Sequence, residues 1–151
     1  MRFLLVFVLL PFTISAQFNK NFVSKSDLYY TRLEYCGSGL FGFESNGKFG
    51  YMDINKKVVI PATLDLKLSS SQTMPSFTNG FAIVTSNGKS GLIDKTGKLV
   101  IPYEYSSLWL YSNQKNIVKA GKEVDSKLVY GVLNTQNKVI IPLEYSSLTV
   151  D

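Results

Sequence analysis

An internal repeat of about 40 residues dominates this 151-residue chain. Three strings of equal length run from a glycine to a proline, at 50–61, 91–102 and 131–142, and they read GYMDINKKVVIP, GLIDKTGKLVIP and GVLNTQNKVIIP. Their glycines lie 41 and then 40 positions apart. A fixed period of roughly 20–50 residues is typical of proteins in which each repeat is one supersecondary unit and neighbouring units share a core. We therefore expect a tandem array of similar units.

Turn and strand signals inside each repeat predict antiparallel β structure. Asn-Gly pairs at 46–47 and 87–88 lie between apolar runs, and this pair favours a two-residue hairpin turn with positive φ at both positions. The third unit lacks the pair, and an alignment of Val118 with Val84 predicts a hairpin tip at 121–127 that is six residues longer. After the hairpin, each unit has a second turn and then a run rich in β-branched residues that leads to the repeat proline. The proline after this run ends the strand, because proline cannot donate a ladder hydrogen bond.

These signals predict an all-β domain of tandem antiparallel meander or hairpin repeats over 39–151. The units are expected at 39–79, 80–114 and 115–151, each a three-stranded meander followed by a connector with room for a fourth strand. The segment 17–38 is a further connector ahead of the first unit. We expect an open curved array, because three units are too few to close a six- or seven-bladed propeller. Partial propeller-like or barrel-like closure is the alternative.

The isoleucine before each repeat proline is expected to contribute strongly to stability. Ile60, Ile101 and Ile141 hold equivalent places at the end of three consecutive apolar residues, which indicates a strand covered on both faces. Truncating a fully buried isoleucine to alanine costs about 2–5 kcal/mol. The repeat thus predicts a loss of this size in each unit whose isoleucine is buried.

The first 16 residues have the features of an export signal. Arg2 gives a positive start, an apolar run follows, and small residues lead to a predicted cleavage site after Ala16. The apolar run is too short for a transmembrane helix, which needs about 20 residues, so no membrane span is expected once the signal is removed. The only cysteine, Cys36, lies too far from the cleavage site for a lipid anchor. We expect an exported protein that is periplasmic, surface-associated or secreted.

Composition excludes several classes of site. The chain has no histidine, which rules out histidine-based catalytic triads and histidine-ligated metal sites. Its single cysteine rules out a disulfide framework and cysteine-cluster zinc sites. Lys and Arg number 16 against 11 Asp and Glu, and nearly all of the basic residues are lysines. Because base-specific contacts rely on the arginine fork, nucleic acid is not an expected partner.

A longer motif spans each unit and is most complete in the second. Its matching residues are Phe77, Gly80, Ala82, Val84, Asn87, Gly88, Lys89, Gly91, Ile93, Asp94, Gly97, Lys98, Val100, Ile101, Pro102 and Tyr105. This motif resembles the WG-repeat family of bacterial β-rich proteins, with its pattern F-x-x-G-x-A-x-V, N-G-K-W-G-Y-I-D and G-K-x-V-I-P-x-x-Y-D. Phe49, Ser90 and Tyr130 replace the tryptophan that gives the family its name. The resemblance covers about 39–151, and it implies an exported or surface-associated repeat protein with no established catalytic residues.

Several polar motifs are better explained by structure than by chemistry. The string GFESNGKF at 42–49 is close to a phosphate-binding loop, but that loop precedes a helix and both flanks here are predicted strands. Glu104 and Glu144 could pair as a glycosidase acid and base, yet both recur within the string E-Y-S-S-L, and a residue that recurs with the period usually builds the unit. The same reasoning assigns turns rather than calcium binding to Asp53, Asp94 and Asn134. We expect no catalytic, cofactor-binding or metal site, and no cofactor.

The role of Cys36 stays open between three interpretations. As a nucleophile it would need a lysine or a carboxylate as its base, since the chain has no histidine. Its apolar neighbourhood favours simple core packing. After export it could also form an intermolecular disulfide.

The best candidates for partner contact are aromatic residues that do not recur with the period. Trp109 follows a repeated string, and Thr149 holds its place in the next unit. Tyr111 lies two residues beyond Trp109, and Tyr103 is replaced by Leu143 in the next unit. Exposed aromatic rings on β-surfaces stack on sugars or contact proteins. Burial statistics for tryptophan favour the other role for Trp109, a plug in the core at the shortened connector.

The function that these features predict is a non-catalytic binding or structural module at the cell envelope or outside the cell. Its partner would be a protein or a glycan, and exposed sheet edges would allow oligomers. An enzyme acting on envelope polymers is one alternative. Attachment to polyanions through lysines at the hairpin tips is another.

Overall fold

The protein's regular structure consists of β-strands. The structure is a computed structural model that describes residues 32–66, 68 and 72–150; the predicted export signal and most of the connector 17–38 lie outside the described residues. Within this part there are eleven strands and no helix. The strands are β1 (Arg32–Tyr35), β2 (Leu40–Ser45), β3 (Lys48–Asp53), β4 (Val58–Leu64), β5 (Phe81–Ser86), β6 (Lys89–Asp94), β7 (Leu99–Tyr105), β8 (Ser107–Tyr111), β9 (Gln114–Val124), β10 (Lys127–Leu133) and β11 (Val139–Tyr145).

The strands form three antiparallel sheets that follow one another along the chain. Their orders are β1-β2-β3-β4, β5-β6-β7 and β8-β9-β10-β11. In the part of the chain that the structure describes, the two outer strands of a sheet never pair with each other, so none of the three sheets closes into a barrel. The prediction of an all-β domain built from tandem antiparallel hairpin repeats is confirmed.

Each unit begins its meander with a two-residue hairpin turn. Both residues of every turn have positive φ, as this turn type requires. The turn residues, with φ in degrees, are Asn46 (52) and Gly47 (71), Asn87 (49) and Gly88 (72), and Asp125 (48) and Ser126 (60). The Asn-Gly predictions are confirmed, and in the third unit an Asp-Ser pair makes the same turn.

The third hairpin is four residues longer than the second, and the predicted difference of six is wrong. Val118 pairs with Leu133 as Ala82 pairs with Ile93, so Val118 corresponds to Ala82 and not to Val84. The paired positions are 15 residues apart in the third unit and 11 in the second. Each arm is therefore extended by two residues, a change that keeps every side chain on its face of the sheet.

The second turn of each unit is closed by a side chain that recurs with the period. The Oδ1 atom of Asp94 accepts hydrogen bonds from the backbone N–H groups of Thr96 and Lys98, at 2.8 and 3.1 Å. Asp53 and Asn134 accept the equivalent pair of bonds in their own units. These contacts confirm that the three recurring residues build turns.

The connector strand joins the sheet that follows it. Strand β8 pairs with β9 of the third sheet, and β1 pairs in the same way with β2 of the first. The connector after the second meander does contain a strand, β8, and pairing with β9 places this strand in the next sheet. Ahead of the second sheet, where β1 and β8 precede the other two, the described residues form only an isolated bridge between Thr78 and Phe81.

Neighbouring sheets pack face to face and bury two hydrophobic clusters between them. The first cluster lies between the first and second sheets and includes Ile60 and Val84. The second lies between the second and third sheets and includes Ile101 and Val118. A smaller cluster around Phe43 lies on the other face of the first sheet. The sheets are therefore stacked in chain order, and the first two each bury one face against the next.

Candidate functional site

The face of the third sheet that points away from the second sheet has no further sheet against it among the described residues. Direct pairing places four residues in one row across its strands: Trp109 on β8, Lys119 on β9, Val132 on β10 and Ile141 on β11. Tyr130 and Tyr145 form a neighbouring pair on the same side, two residues away along β10. We call the surface formed by these six residues the terminal face: Trp109, Lys119, Tyr130, Val132, Ile141 and Tyr145.

Equivalent positions in the first two sheets are buried against the following sheet. Ile60 and Ile101 are 3% and 0% exposed, whereas Ile141 is only partly buried. Tyr105 is 6% exposed, but its counterpart Tyr145 is 44% exposed. The sequence assigns these residues the same place in the repeat, and the difference arises because no sheet within the described residues lies against the third one. The terminal face is thus a core-type surface that is open to solvent.

Two aromatic rings and one ammonium group lie together at the centre of this face. The Trp109 and Tyr130 ring centroids are 6.0 Å apart, with an angle of 52° between their planes. Lys119 Nζ lies 5.0 Å from the Trp109 centroid and 4.9 Å from the Tyr130 centroid. Such cation–π contacts contribute about 0.5–1 kcal/mol each at exposed sites. Trp109 is 39% exposed, so it is not a plug in the core.

Lys119 occupies a position that is apolar in the unit before it. Val132 and Leu92 each follow the repeat glycine of their unit. Val132 pairs with Lys119 and Leu92 pairs with Ile83, so Lys119 is the equivalent of Ile83. Val132 is only 3% exposed although no described sheet covers it. Lys119 is paired directly with Val132, and its ammonium reaches both aromatic rings. Among the described residues, Lys119 makes no salt bridge.

A groove of about 340 Å³ borders Trp109 on the side of β8. Its apolar wall includes Ile83 and Pro75, and the hydroxyl-bearing residues Ser76 and Thr78 line it as well. The Asn79 amide fixes the end of this region by donating to the carbonyl oxygen of Tyr111 at 3.0 Å. Strand β8 therefore carries Trp109 of the terminal face and also lines a groove of mixed apolar and hydroxyl character.

Comparison with protein-family models matches the model described as "WG containing repeat" at 49–89, 91–122 and 130–150. These segments cover more than half of the chain, and each begins at the WG position or one residue after it, inside one of the expected repeat units. The chain belongs to this family. No curated protein matches the chain, and no solved structure matches it either.

The WG position itself changes its environment along the array. Phe49 and Ser90 stand at this position in the first two units, and both are buried. Tyr130 stands there in the third unit and is partly exposed next to Trp109 and Lys119. The residue that fills a core in the first two WG units is thus part of a surface cluster in the last.

The other two aromatic candidates, Tyr111 and Tyr103, lie in different parts of the structure. Tyr111 ends the same strand as Trp109 and is partly buried. Tyr103 packs against the cluster between the first and second sheets, and burial raises the pKa of its phenol. Tyr103 therefore lies at an inter-sheet cluster, whereas Trp109 lies on the terminal face. Lys119 and Tyr130 could not be predicted as site residues, because only cross-strand pairing brings them to Trp109.

The two glutamates considered as an acid and base pair, Glu104 and Glu144, both lie on the solvent-exposed surface. The Glu104 carboxylate lies 3.8 Å from Lys122 Nζ, in a solvent-exposed salt bridge. Glu144 is exposed on β11. Across the described ranges, no three residues among His, Cys, Asp and Glu are grouped so that they could hold a metal ion. In the same ranges, no helix has the length and apolar character needed to cross a membrane.

Cys36 is buried in the first inter-sheet cluster. Its Sγ–H donates to the carbonyl oxygen of Glu34 at 3.4 Å, and burial raises the pKa of the thiol to about 11. A buried thiol that stays protonated at neutral pH is a poor nucleophile. Its environment is that of a core side chain.

The stability of the folded protein is expected to fall as pH rises from 9.0 towards 11. The unfolded chain loses the Cys36 proton near pH 9.0, whereas the folded chain keeps it up to about pH 11. Unfolding therefore releases a proton between these values, and higher pH favours it. The raised pKa of the buried Tyr51 phenol acts in the same direction. Urea unfolding across this range measures the effect, and Cys36→Ala should reduce it; an unchanged pH dependence in that variant would contradict the assignment.

Proposed function

We propose that this WG-repeat chain is an exported, non-catalytic binding module that acts at the cell envelope or outside the cell. Its contact surface is the terminal face, with Trp109 at the centre. The observation that carries the proposal is the exposure of a non-recurring tryptophan on a face whose counterparts form cores in the first two units. Large aromatic side chains are enriched at the centres of interfaces, where they supply much of the binding energy.

A binding role accounts for the polar residues better than an enzymatic role does. Asp53 and Asp94 build turns, Glu104 lies in an exposed salt bridge, Glu144 is exposed on β11, and the single thiol is in the core. The WG repeat is not known as a catalytic family. An enzyme acting on envelope polymers is therefore the weaker alternative.

Electrostatic attachment to polyanions is a second candidate with a specific observation in its favour. Each hairpin turn is followed directly by a lysine that begins the next strand: Lys48, Lys89 and Lys127. Lys48 is paired with Asp65 at 3.1 Å, which offsets its charge. Attachment through lysines would be lost steeply as salt is added, because salt screens exposed charges. Binding through Trp109 would be far less sensitive to salt.

The proposed function predicts that Trp109→Ala abolishes capture of an envelope partner and leaves the fold intact. The exported chain is expected to begin at Gln17, which terminal mass spectrometry can check. Immobilised chain would be incubated with envelope fractions at low and high salt, and the melting temperature of each variant would be measured in parallel. Tyr35→Ala is the matched control, since Tyr35 is an exposed aromatic residue on the first sheet.

Loss of capture by Trp109→Ala, with a near-normal melting temperature and normal capture by the control, supports the proposal. Equal capture by wild type and Trp109→Ala would contradict it. Capture that disappears at high salt in all variants alike would instead favour attachment through lysines.

A further inference from the structure

We propose that the terminal face binds an acidic polysaccharide of the uronate type, with a sugar ring against Trp109 and its carboxylate on Lys119. This inference rests on the proposed function and names the ligand class for the same site. The centre of the face combines an exposed indole ring, a second aromatic ring and an ammonium group within about 6 Å of one another.

The aromatic pair selects for a ligand with an apolar ring face. Trp109 and Tyr130 lie on adjacent rows of a sheet face, and the partly exposed Ile141 lies on the row of Trp109. A sheet face holds its side chains at fixed spacings, so the two rings are positioned before the ligand arrives. The C–H face of a sugar ring matches such a platform, and its hydroxyl edge stays in water.

Lys119 selects for a negative charge on that ring. It lies on the same row as Trp109, and within the described part of the chain it has no carboxylate partner. Its ammonium is only 5.0 Å from the Trp109 centroid, a separation that one uronate residue spans. A carboxylate on the ligand would give the ammonium a charge-assisted hydrogen bond, which is roughly twice as strong as a neutral one.

The same lysine argues against another repeat sheet as the occupant. A sheet stacked here, as the third sheet is stacked on the second, would bury Lys119 where the preceding interface has Ile83. Burying an ammonium without a carboxylate partner carries a large desolvation penalty. A hydrated anionic ligand avoids that cost because it pairs with the ammonium and leaves water around it.

The groove beside Trp109 provides a path for a polymer that extends beyond one sugar. Its wall joins apolar surface from Ile83 and Pro75 with the hydroxyl-bearing Ser76 and Thr78. Hydroxyl groups both donate and accept hydrogen bonds, and so they suit the hydroxyl edges of a glycan. Trp109 is one of the residues that line the groove, so strand β8 carries the stacking residue and also part of the groove wall.

The test is a titration of the full chain with oligogalacturonate and with its methyl ester, followed by calorimetry. The two probes have the same rings, but only the first carries carboxylates. We expect saturable binding of the free acid, with an affinity at least about tenfold above that of the ester. Lys119→Met keeps the apolar stem and removes the charge, so it should bring the two affinities close together. Trp109→Ala should remove binding of both probes.

Lys115→Met is the matched control, because Lys115 is an exposed lysine on the same strand. It should leave the preference for the free acid nearly unchanged. Absence of saturable binding to the free acid, or an unchanged preference in Lys119→Met, would overturn the proposal. A concentration-dependent dimer that Trp109→Ala abolishes would assign the face to a second copy and would overturn it as well.

The outcome also separates this inference from the proposed function. If envelope material is captured in a Trp109-dependent way and oligogalacturonate does not bind, the ligand class is wrong and the binding face stands. If neither capture nor glycan binding depends on Trp109, both fail.

Discussion

Ile101→Ala is expected to lower the free energy of unfolding by about 2–5 kcal/mol. Ile101 is fully buried in the cluster between the second and third sheets, so truncation leaves a cavity lined by both. Ile141→Ala, at the equivalent position on the terminal face, should cost less than about 2 kcal/mol, because a partly exposed site loses less transfer free energy and leaves no closed cavity. Urea unfolding followed by circular dichroism measures both losses.

The contrast between these two variants tests whether the terminal face of this chain is exposed to solvent. Equal losses would mean that Ile141 is as buried as Ile101, and that the terminal face is covered in solution. Ile60→Ala serves as the reference for a second inter-sheet cluster, and it should behave like Ile101→Ala.

Gly50→Ala is expected to destabilise the first unit by about 1–3 kcal/mol or more. A Cβ at this position would lie 2.6 Å from the carbonyl oxygen of Ile60 and 2.8 Å from the backbone nitrogen of Ala62. Both atoms belong to the backbone of β4, so the clash is relieved only if the strand moves. The register between β3 and β4 shifts at this place, which brings the two backbones close.

The other repeat glycines provide a graded comparison for this effect. A Cβ at Gly131 would approach the carbonyl oxygen of Ile141 to 2.6 Å, whereas at Gly91 the closest approach is 3.0 Å, to the carbonyl oxygen of Ile101. We therefore expect Gly91→Ala to cost less than Gly50→Ala. Thermal unfolding of the variants checks the order, and a neutral Gly50→Ala would contradict the close packing of β3 on β4.

Local features of the fold could be predicted from the sequence because their causes are local. Asn46-Gly47 and Asn87-Gly88 form the predicted turns since these residues tolerate positive φ. The Asp94 side chain closes its turn through backbone groups only two and four residues away. The repeat then extends each assignment to the other units.

Strand register was harder to predict, because similar residues align equally well in two ways. Matching Val118 with Val84 keeps identical letters together, but the backbone pairing matches Val118 with Ala82. Both alignments put Val118 on the same face, since side chains alternate with a period of two. Only the hydrogen-bonded pairing distinguishes them.

The candidate site was predicted in part. Trp109 could be identified as a non-recurring aromatic residue, but its neighbours come from β9 and β10, 10 and 21 residues further along the chain. One feature of the sequence could have indicated Lys119 as a site residue, namely a charge at a position that holds Ile83 in the second unit. This equivalence appears only when Val118 is aligned with Ala82, and the alignment of Val118 with Val84 hides it. Exposure of Ile141 could not be predicted from the repeat, because the three units look alike in sequence.

The most direct test of the binding face uses the fluorescence of Trp109, the only tryptophan in the chain. Its 39% exposure predicts an emission that iodide quenches readily, helped by the nearby Lys119 ammonium, which attracts the anion. Addition of the captured envelope partner should shift the emission to shorter wavelength and protect it from iodide. Unchanged emission and quenching, while the partner is shown to be bound, would contradict the assignment of the terminal face as the contact surface.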